Sequence, residues 1–126
     1  MAIKRLKIVS IPVKDQETAK RFYHETLDFK VLIDVPFMAG ARWIELAPAG
    51  AQTTITLVTW FEAMKPGGVT GLVLETDDLD GDHARLRERR LEISAIESAP
   101  WGRYATFNDP DGNGWVLQQS AAEPVV

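Results

Sequence analysis

The sequence predicts an α+β protein built from two βαβββ modules, each a strand, a helix and three further strands. Three observations predict it. A period-two strand runs into an aspartate and then an apolar helical stripe near the start. The same order restarts at Asp78, 63 residues after Asp15. Three short extended segments follow each helix.

Taken in order, Val9, Ile11 and Val13 alternate with Ile8, Ser10 and Pro12, as in a strand whose two faces meet different surroundings. Asp15 can cap the free N–H groups of a helix from about Gln16 to Thr26, whose stripe is Ala19, Phe22, Tyr23 and Leu27. Strands are expected at Lys30 to Val35, Ala41 to Ala47 and Thr53 to Trp60, with Pro48-Ala49-Gly50 turning the last pair into a hairpin. Lys65-Pro66-Gly67-Gly68 resists both helix and sheet and reads as a linker.

Beyond it, Gly71 to Thr76 is a strand, Asp78 repeats the capping role, and Leu79, His83 and Leu86 form the second stripe. Asp78, Asp80 and Asp82 open this helix and Arg85, Arg87, Arg89 and Arg90 close it, an order that complements the helix dipole and reads as solvated capping. Strands are expected at Glu92 to Ile96, Arg103 to Phe107 and Trp115 to Gln119. In Asp109-Pro110-Asp111-Gly112-Asn113, Pro110 presets a turn and Gly112 takes positive φ. Halves this small cannot each bury a sufficient core, so one domain is expected over 1–122, with modules at about 3–62 and 69–120 and a tail at 123–126.

Composition narrows the function. The 126 residues are 45% hydrophobic and 25% charged, the profile of an ordinary globular chain. A net charge of -4 with no basic face argues against nucleic acid. The absence of cysteine excludes disulfides, thiolate nucleophiles and Cys-ligated metals. Lys4, Arg5 and Lys7 precede an apolar stretch too short for a signal sequence, and no segment is long enough to span a bilayer, so a cytoplasmic protein without membrane association is expected.

Ile8-Val9-Ser10-Ile11-Pro12-Val13-Lys14-Asp15, then Ala19, Phe22-Tyr23 and Leu27-Asp28-Phe29, resembles the opening module of the vicinal oxygen chelate superfamily, the glyoxalase/bleomycin resistance protein/dioxygenase group. Phe107-Asn108-Asp109-Pro110-Asp111-Gly112-Asn113 is similar to its closing turn, and Trp43-Ile44-Glu45-Leu46 sits at its mid-module strand, so the resemblance covers nearly the whole chain. It implies a homodimer with paired curved sheets around a small-molecule groove. It does not fix the chemistry, because members include lyases, ring-cleaving dioxygenases, thiol transferases and metal-free drug-binding proteins.

The metal-ligand positions that the resemblance implies fall on Ile8, Gly71 and Val116, none of which can bind metal, and on Glu45, which can. No cofactor or metal is therefore expected. His24 and His83 lie on the helices, the first at the surface and the second packed, away from the concave face. An oxygen-only site of Glu45 and Glu75 is a weak cage, and an ion pair of Glu45 with an arginine such as Arg103 is an equal alternative to ligand contact.

The ligand-binding candidates are Phe37, Trp43, Glu45, Trp60, Trp101 and Tyr104, whose rings suit a partly aromatic or apolar ligand, while Trp115 packs on a helix. The leading expectation is a metal-free small-molecule-binding protein. The alternatives are a metal-free enzyme using Glu45 as general base and a metal-dependent lyase or dioxygenase.

Overall fold

A computed structural model describes residues 1–122; the tail expected at 123–126 lies outside the described residues. The first half holds β1 (Ile8–Pro12), α1 (Gln16–Arg21), β2 (Lys30–Pro36), β3 (Arg42–Ala47) and β4 (Thr54–Val58). The second holds β5 (Leu72–Glu75), α2 (Leu79–Glu88), β6 (Glu97–Ala99), β7 (Gly102–Asn108) and β8 (Gly114–Ser120). They form two four-stranded sheets, in the orders β1-β4-β3-β2 and β5-β8-β7-β6. In each, the first strand pairs parallel with the last and the remaining pairs are antiparallel. The fold is α+β, as the sequence predicts.

Both helices start as their aspartates dictate. Asp15 accepts the Thr18 N–H at 2.9 Å and Asp78 the Gly81 N–H at 3.1 Å, each cap worth about 1 kcal/mol. Both end with a left-handed residue, Asp28 (φ 59°) and Arg90 (φ 66°), after which Phe29 N–H reaches Tyr23 O and Leu91 N–H reaches Leu86 O. Asp15 to Asp28 is one residue longer than Asp78 to Arg90. The extra residue is taken up where α1 widens into a π-helical segment, Phe22–Thr26, with Leu27 N–H bonded to Phe22 O.

One core serves both sheets. Ile11, Ile44, Leu46, Ile55 and Leu57 enter it from the first, and Phe107, Trp115 and Leu117 from the second, with Ala19, Tyr23, Phe29, Leu79 and Leu86 between. The halves are joined by a buried polar chain. Tyr23 OH donates to Asp109 Oδ2 at 2.7 Å, Trp115 Nε1 donates to Tyr23 OH at 3.0 Å, and Asn113 Nδ2 donates to the Pro12 carbonyl and to Asp109 Oδ2, both at 2.9 Å. Lys14 N–H adds a bond to Asp111 Oδ1. The turn between β7 and β8 therefore also fastens the end of β1.

Two strands differ from expectation. Instead of a strand over Glu92 to Ile96, there is a single bridge from Ile93 to Phe107, and pairing resumes at β6. Ser94 Oγ accepts the Thr106 N–H at 2.8 Å in place of a carbonyl, which interrupts the ladder. β4 ends at Val58, so Trp60 lies beyond it. No helix among the described residues is long and apolar enough to cross a membrane.

Candidate functional site

Because alternate strand residues point to opposite faces, sending Ile44, Leu46, Ile55 and Leu57 into the core sends Trp43, Glu45, Thr54 and Thr56 to the other face of the first sheet. Glu45 and Thr56 are cross-strand partners, and Thr56 is also the partner of Ser10, so Ser10, Thr56 and Glu45 form one row across the sheet. Glu45 is only 8% exposed. Its Oε1 accepts Trp43 Nε1 at 2.9 Å and its Oε2 accepts the Thr54 hydroxyl at 3.2 Å.

Beside this carboxylate is a cluster of rings. Trp43 and Trp60 stack with centroids 6.0 Å apart and planes 22° apart. Phe37 lies 5.2 Å from Trp43 and 4.9 Å from Trp60, and Phe61 extends the cluster at 6.1 Å from Trp60. Phe37 and Phe61 are half exposed, as are Ile33 and Val35 on edge strand β2.

The start of α1 holds this region in place. The Gln16 amide donates to the carbonyls of Arg42 and Leu57 at 2.7 and 2.9 Å and accepts the Arg42 N–H at 3.0 Å, tying β3 to β4 next to Trp43. On that same side Asp34 takes Arg42 and Lys20, each at 2.7 Å. These bonds, Arg42 first, hold the Asp34 carboxyl down to about 2.

The second sheet carries a smaller cluster. Trp101 and Tyr104 lie 5.0 Å apart, and Tyr104 OH donates to Glu97 Oε2 at 2.8 Å, which raises the phenol above its usual range. Tyr104 pairs across the ladder with Gln118. Val73, 55% exposed, pairs with Val116 on this face.

The six sequence candidates thus separate into two groups: Phe37, Trp43, Glu45 and Trp60 on the first sheet, and Trp101 and Tyr104 on the second. Since both sheets turn their other faces into the shared core, the two ring-bearing faces do not close on each other. Among the described residues no ring of one group stacks on a ring of the other.

Other expectations need correction. Arg103 does not pair with Glu45; it grips Asp80 through two contacts of 2.9 Å, because its place on β7 directs it to α2. Glu75 is not beside Glu45; it lies on the other sheet and accepts bonds from Ser120 N–H and Oγ. His83 is only partly packed and donates from Nε2 to the Ser94 carbonyl at 2.7 Å; His24 is exposed, as expected, and donates to the Phe29 carbonyl. Trp115, expected to pack on a helix, does meet Tyr23 of the first helical segment, and it also packs against Phe29 and Phe107.

Sequence reasoning passed over Thr54, Thr56 and Phe61. The alternation along β4 signalled the first two; nothing in the pattern signalled Phe61. A cleft of about 270 Å³ opens on the helix side, floored by Phe29, Leu74, Leu86, Phe107 and Leu117. Its arginines are engaged, Arg85 with Asp82 and Arg89 with Asp28.

Of the four implied metal positions, Ile8, Gly71 and Val116 have no side-chain donor, and Glu45 gives a hydrogen bond acceptor to Trp43 and to Thr54 through its two oxygens. Such a set does not fit a first-row transition metal, which needs several nitrogen or anionic oxygen ligands together. Among the described residues no three His, Cys, Asp or Glu side chains converge as a metal site.

Comparison with known proteins agrees with this architecture. The chain is 49% identical to TnmS3, an antibiotic binding protein from Streptomyces sp. CB03234, with a TM-score of 0.92 over 96% of this chain and 99% of that one. It is 37% identical to a superfamily member from Sphaerobacter thermophilus DSM 20745, with a TM-score of 0.86 over 95% of this chain and all of that one (100%). An uncharacterised protein of Bacillus subtilis, YetH, is 32% identical over 121 residues, 93% of this chain and 99% of that protein. Residues 5–117 match the model of one family, and the chain belongs to the glyoxalase/bleomycin resistance protein/dioxygenase superfamily.

Proposed function

We propose that this chain is a metal-free binding protein that holds a planar, partly aromatic small molecule between two copies of itself. The observation that carries the reading is the stacked Trp43–Trp60 pair, with Phe37 against both, beside a buried carboxylate on the face of the first sheet turned away from the core. Rings in this arrangement offer flat apolar area, and Glu45 offers one directional polar contact. The 49% identity to a protein described as antibiotic binding supports a small-molecule ligand.

The partner copy enters through geometry. Within one chain the ring-bearing faces lie on opposite sides of a common core, so a single copy presents two half-grooves. A homodimer that sets the first sheet of one protomer against the second sheet of its partner brings Trp43, Trp60 and Phe37 opposite Trp101 and Tyr104. It also covers apolar side chains now in water, among them Ile33, Val35 and Val73.

The test is a mixed dimer, using calorimetric titration with the tightest binder from a panel of planar aromatic antibiotics. The Trp43→Ala and Tyr104→Ala homodimers each lose affinity. A co-expressed, doubly tagged heterodimer of the two regains one wild-type site per dimer, because one groove then combines two intact half-sites. If the heterodimer stays as weak as its parents, the groove is not shared between copies. If neither substitution changes affinity, the rings are not the site.

A further inference from the structure

We infer that Thr56, acting with Glu45, is a specificity-determining residue that selects ligands carrying an N–H or O–H donor on their ring system. This rests on the reading of the Trp43–Trp60 cluster as the ligand site. The observation is that Thr56 is 1% exposed and its hydroxyl oxygen has no hydrogen-bond partner. Buried polar atoms are nearly always satisfied, and an orphan in a native fold calls for an explanation, a bound water or a ligand group among them.

Folding does not explain this hydroxyl. Valine has the same branched shape, suits a strand equally well, and would leave nothing unpaired at the centre of the sheet. Position does explain it. Thr56 is the cross-strand partner of Glu45 and shares its face, one strand away from Trp43.

Glu45 shows the complementary deficit. Its carboxylate is nearly buried, yet its partners are the neutral donors Trp43 and Thr54, and among the described residues it makes no ion pair. A carboxylate so placed retains lone pairs for further donors. An amino or hydroxyl group on a ring lying against Trp43 and Trp60 satisfies both residues at once: one hydrogen goes to Glu45, and either a second N–H goes to the Thr56 oxygen or the ligand's hydroxyl oxygen accepts from Thr56. A ligand of the same shape without a donor leaves both unsatisfied, the kind of mismatch that protein sites reject most strongly.

The probes are 9-aminoacridine, which carries N–H donors and is a cation at neutral pH, and 9-methylacridine, which has nearly the same shape without the amino group; the Thr56 substitutions change no charge and so isolate the hydroxyl. Both are titrated calorimetrically into the wild type, Thr56→Val, Thr56→Ser and Trp60→Ala, and each variant is also melted without ligand. The expected result is a wild-type preference for 9-aminoacridine of about tenfold or more. Thr56→Val loses most of that preference by weakening 9-aminoacridine about tenfold, leaves 9-methylacridine within about twofold, and melts no lower than the wild type. Thr56→Ser keeps the preference.

The inference is overturned if Thr56→Val retains the preference, if it weakens both probes equally with a lower melting temperature, or if the wild type binds neither probe. Trp60→Ala separates the two levels. Loss of both probes there, with an unaltered preference in Thr56→Val, sinks the role of Thr56 alone. Unchanged binding of both probes in Trp60→Ala sinks the ring-cluster reading itself.

Discussion

Replacing Tyr23 by phenylalanine should loosen the joint between the two halves. The Tyr23 ring is fully buried and its hydroxyl is central to the chain that connects them, donating to Asp109 Oδ2 at 2.7 Å and accepting from Trp115 Nε1 at 3.0 Å. Removing it takes one donor from a buried carboxylate, a loss of about 1.5–3 kcal/mol, and orphans a buried indole N–H, a further cost of about 1–3 kcal/mol. The terms share an atom and do not add fully, and Asp109 keeps bonds from Asp111 N–H, Asn113 N–H and Asn113 Nδ2, so about 3 kcal/mol is expected. In a domain of this size that is a fall in melting temperature of roughly 12 °C.

The pH dependence gives a second signature. Burial first, then the charge of Asp109, hold the Tyr23 phenol far above its ordinary value. A raised pKa means that the folded state favours the protonated form. The contribution is therefore complete below the unfolded value of about 10 and declines as pH rises above it. Urea titrations followed by circular dichroism should show a constant gap between wild type and Tyr23→Phe from pH 6 to 9, narrowing above about pH 10. A variant within about 0.5 kcal/mol of wild type at neutral pH, or a gap that persists through strong alkali, would show that the Tyr23 hydroxyl does not fasten the two halves.

Two further substitutions probe local supports of the fold. Asp34→Asn removes the charge and one of the two acceptor oxygens that hold Lys20 and Arg42 and should cost about 1 kcal/mol at neutral pH, discounted because these groups are partly exposed. The Asp34 carboxyl is lowered from 3.8 to about 2, so the contribution is present above 3.8 and lost as pH falls through about 2; acid unfolding curves of variant and wild type should converge there. Gly67→Ala forces a side chain onto a left-handed backbone (φ +82°) with its Cβ against the Asp111 carbonyl oxygen, and should cost roughly 2 kcal/mol or more by chemical denaturation.

Local chemistry made much of the fold legible in the sequence. Asp15 and Asp78 cap where their positions before apolar stripes indicate, and the parity of Trp43 with Glu45 becomes a 2.9 Å hydrogen bond. Less local features were not legible. The expected strand at Glu92 to Ile96 has suitable residues, but the Ser94 hydroxyl competes for the Thr106 N–H. The separation of Trp43 and Trp60 from Trp101 and Tyr104 depends on how the halves join, which is decided by contacts such as Tyr23 to Asp109, 86 residues apart in the chain. Thr56 was visible only as a polar residue on a buried strand; its unsatisfied hydroxyl emerges when neighbouring strands are in register.

The most direct test is calorimetric titration of chelator-treated, metal-depleted protein with its tightest-binding planar aromatic antibiotic, repeated after adding zinc, manganese or ferrous iron. Saturable binding to the depleted protein is expected, unchanged by any of the three metals and lost in Trp43→Ala. Binding that appears only once a metal is restored would contradict a metal-free site.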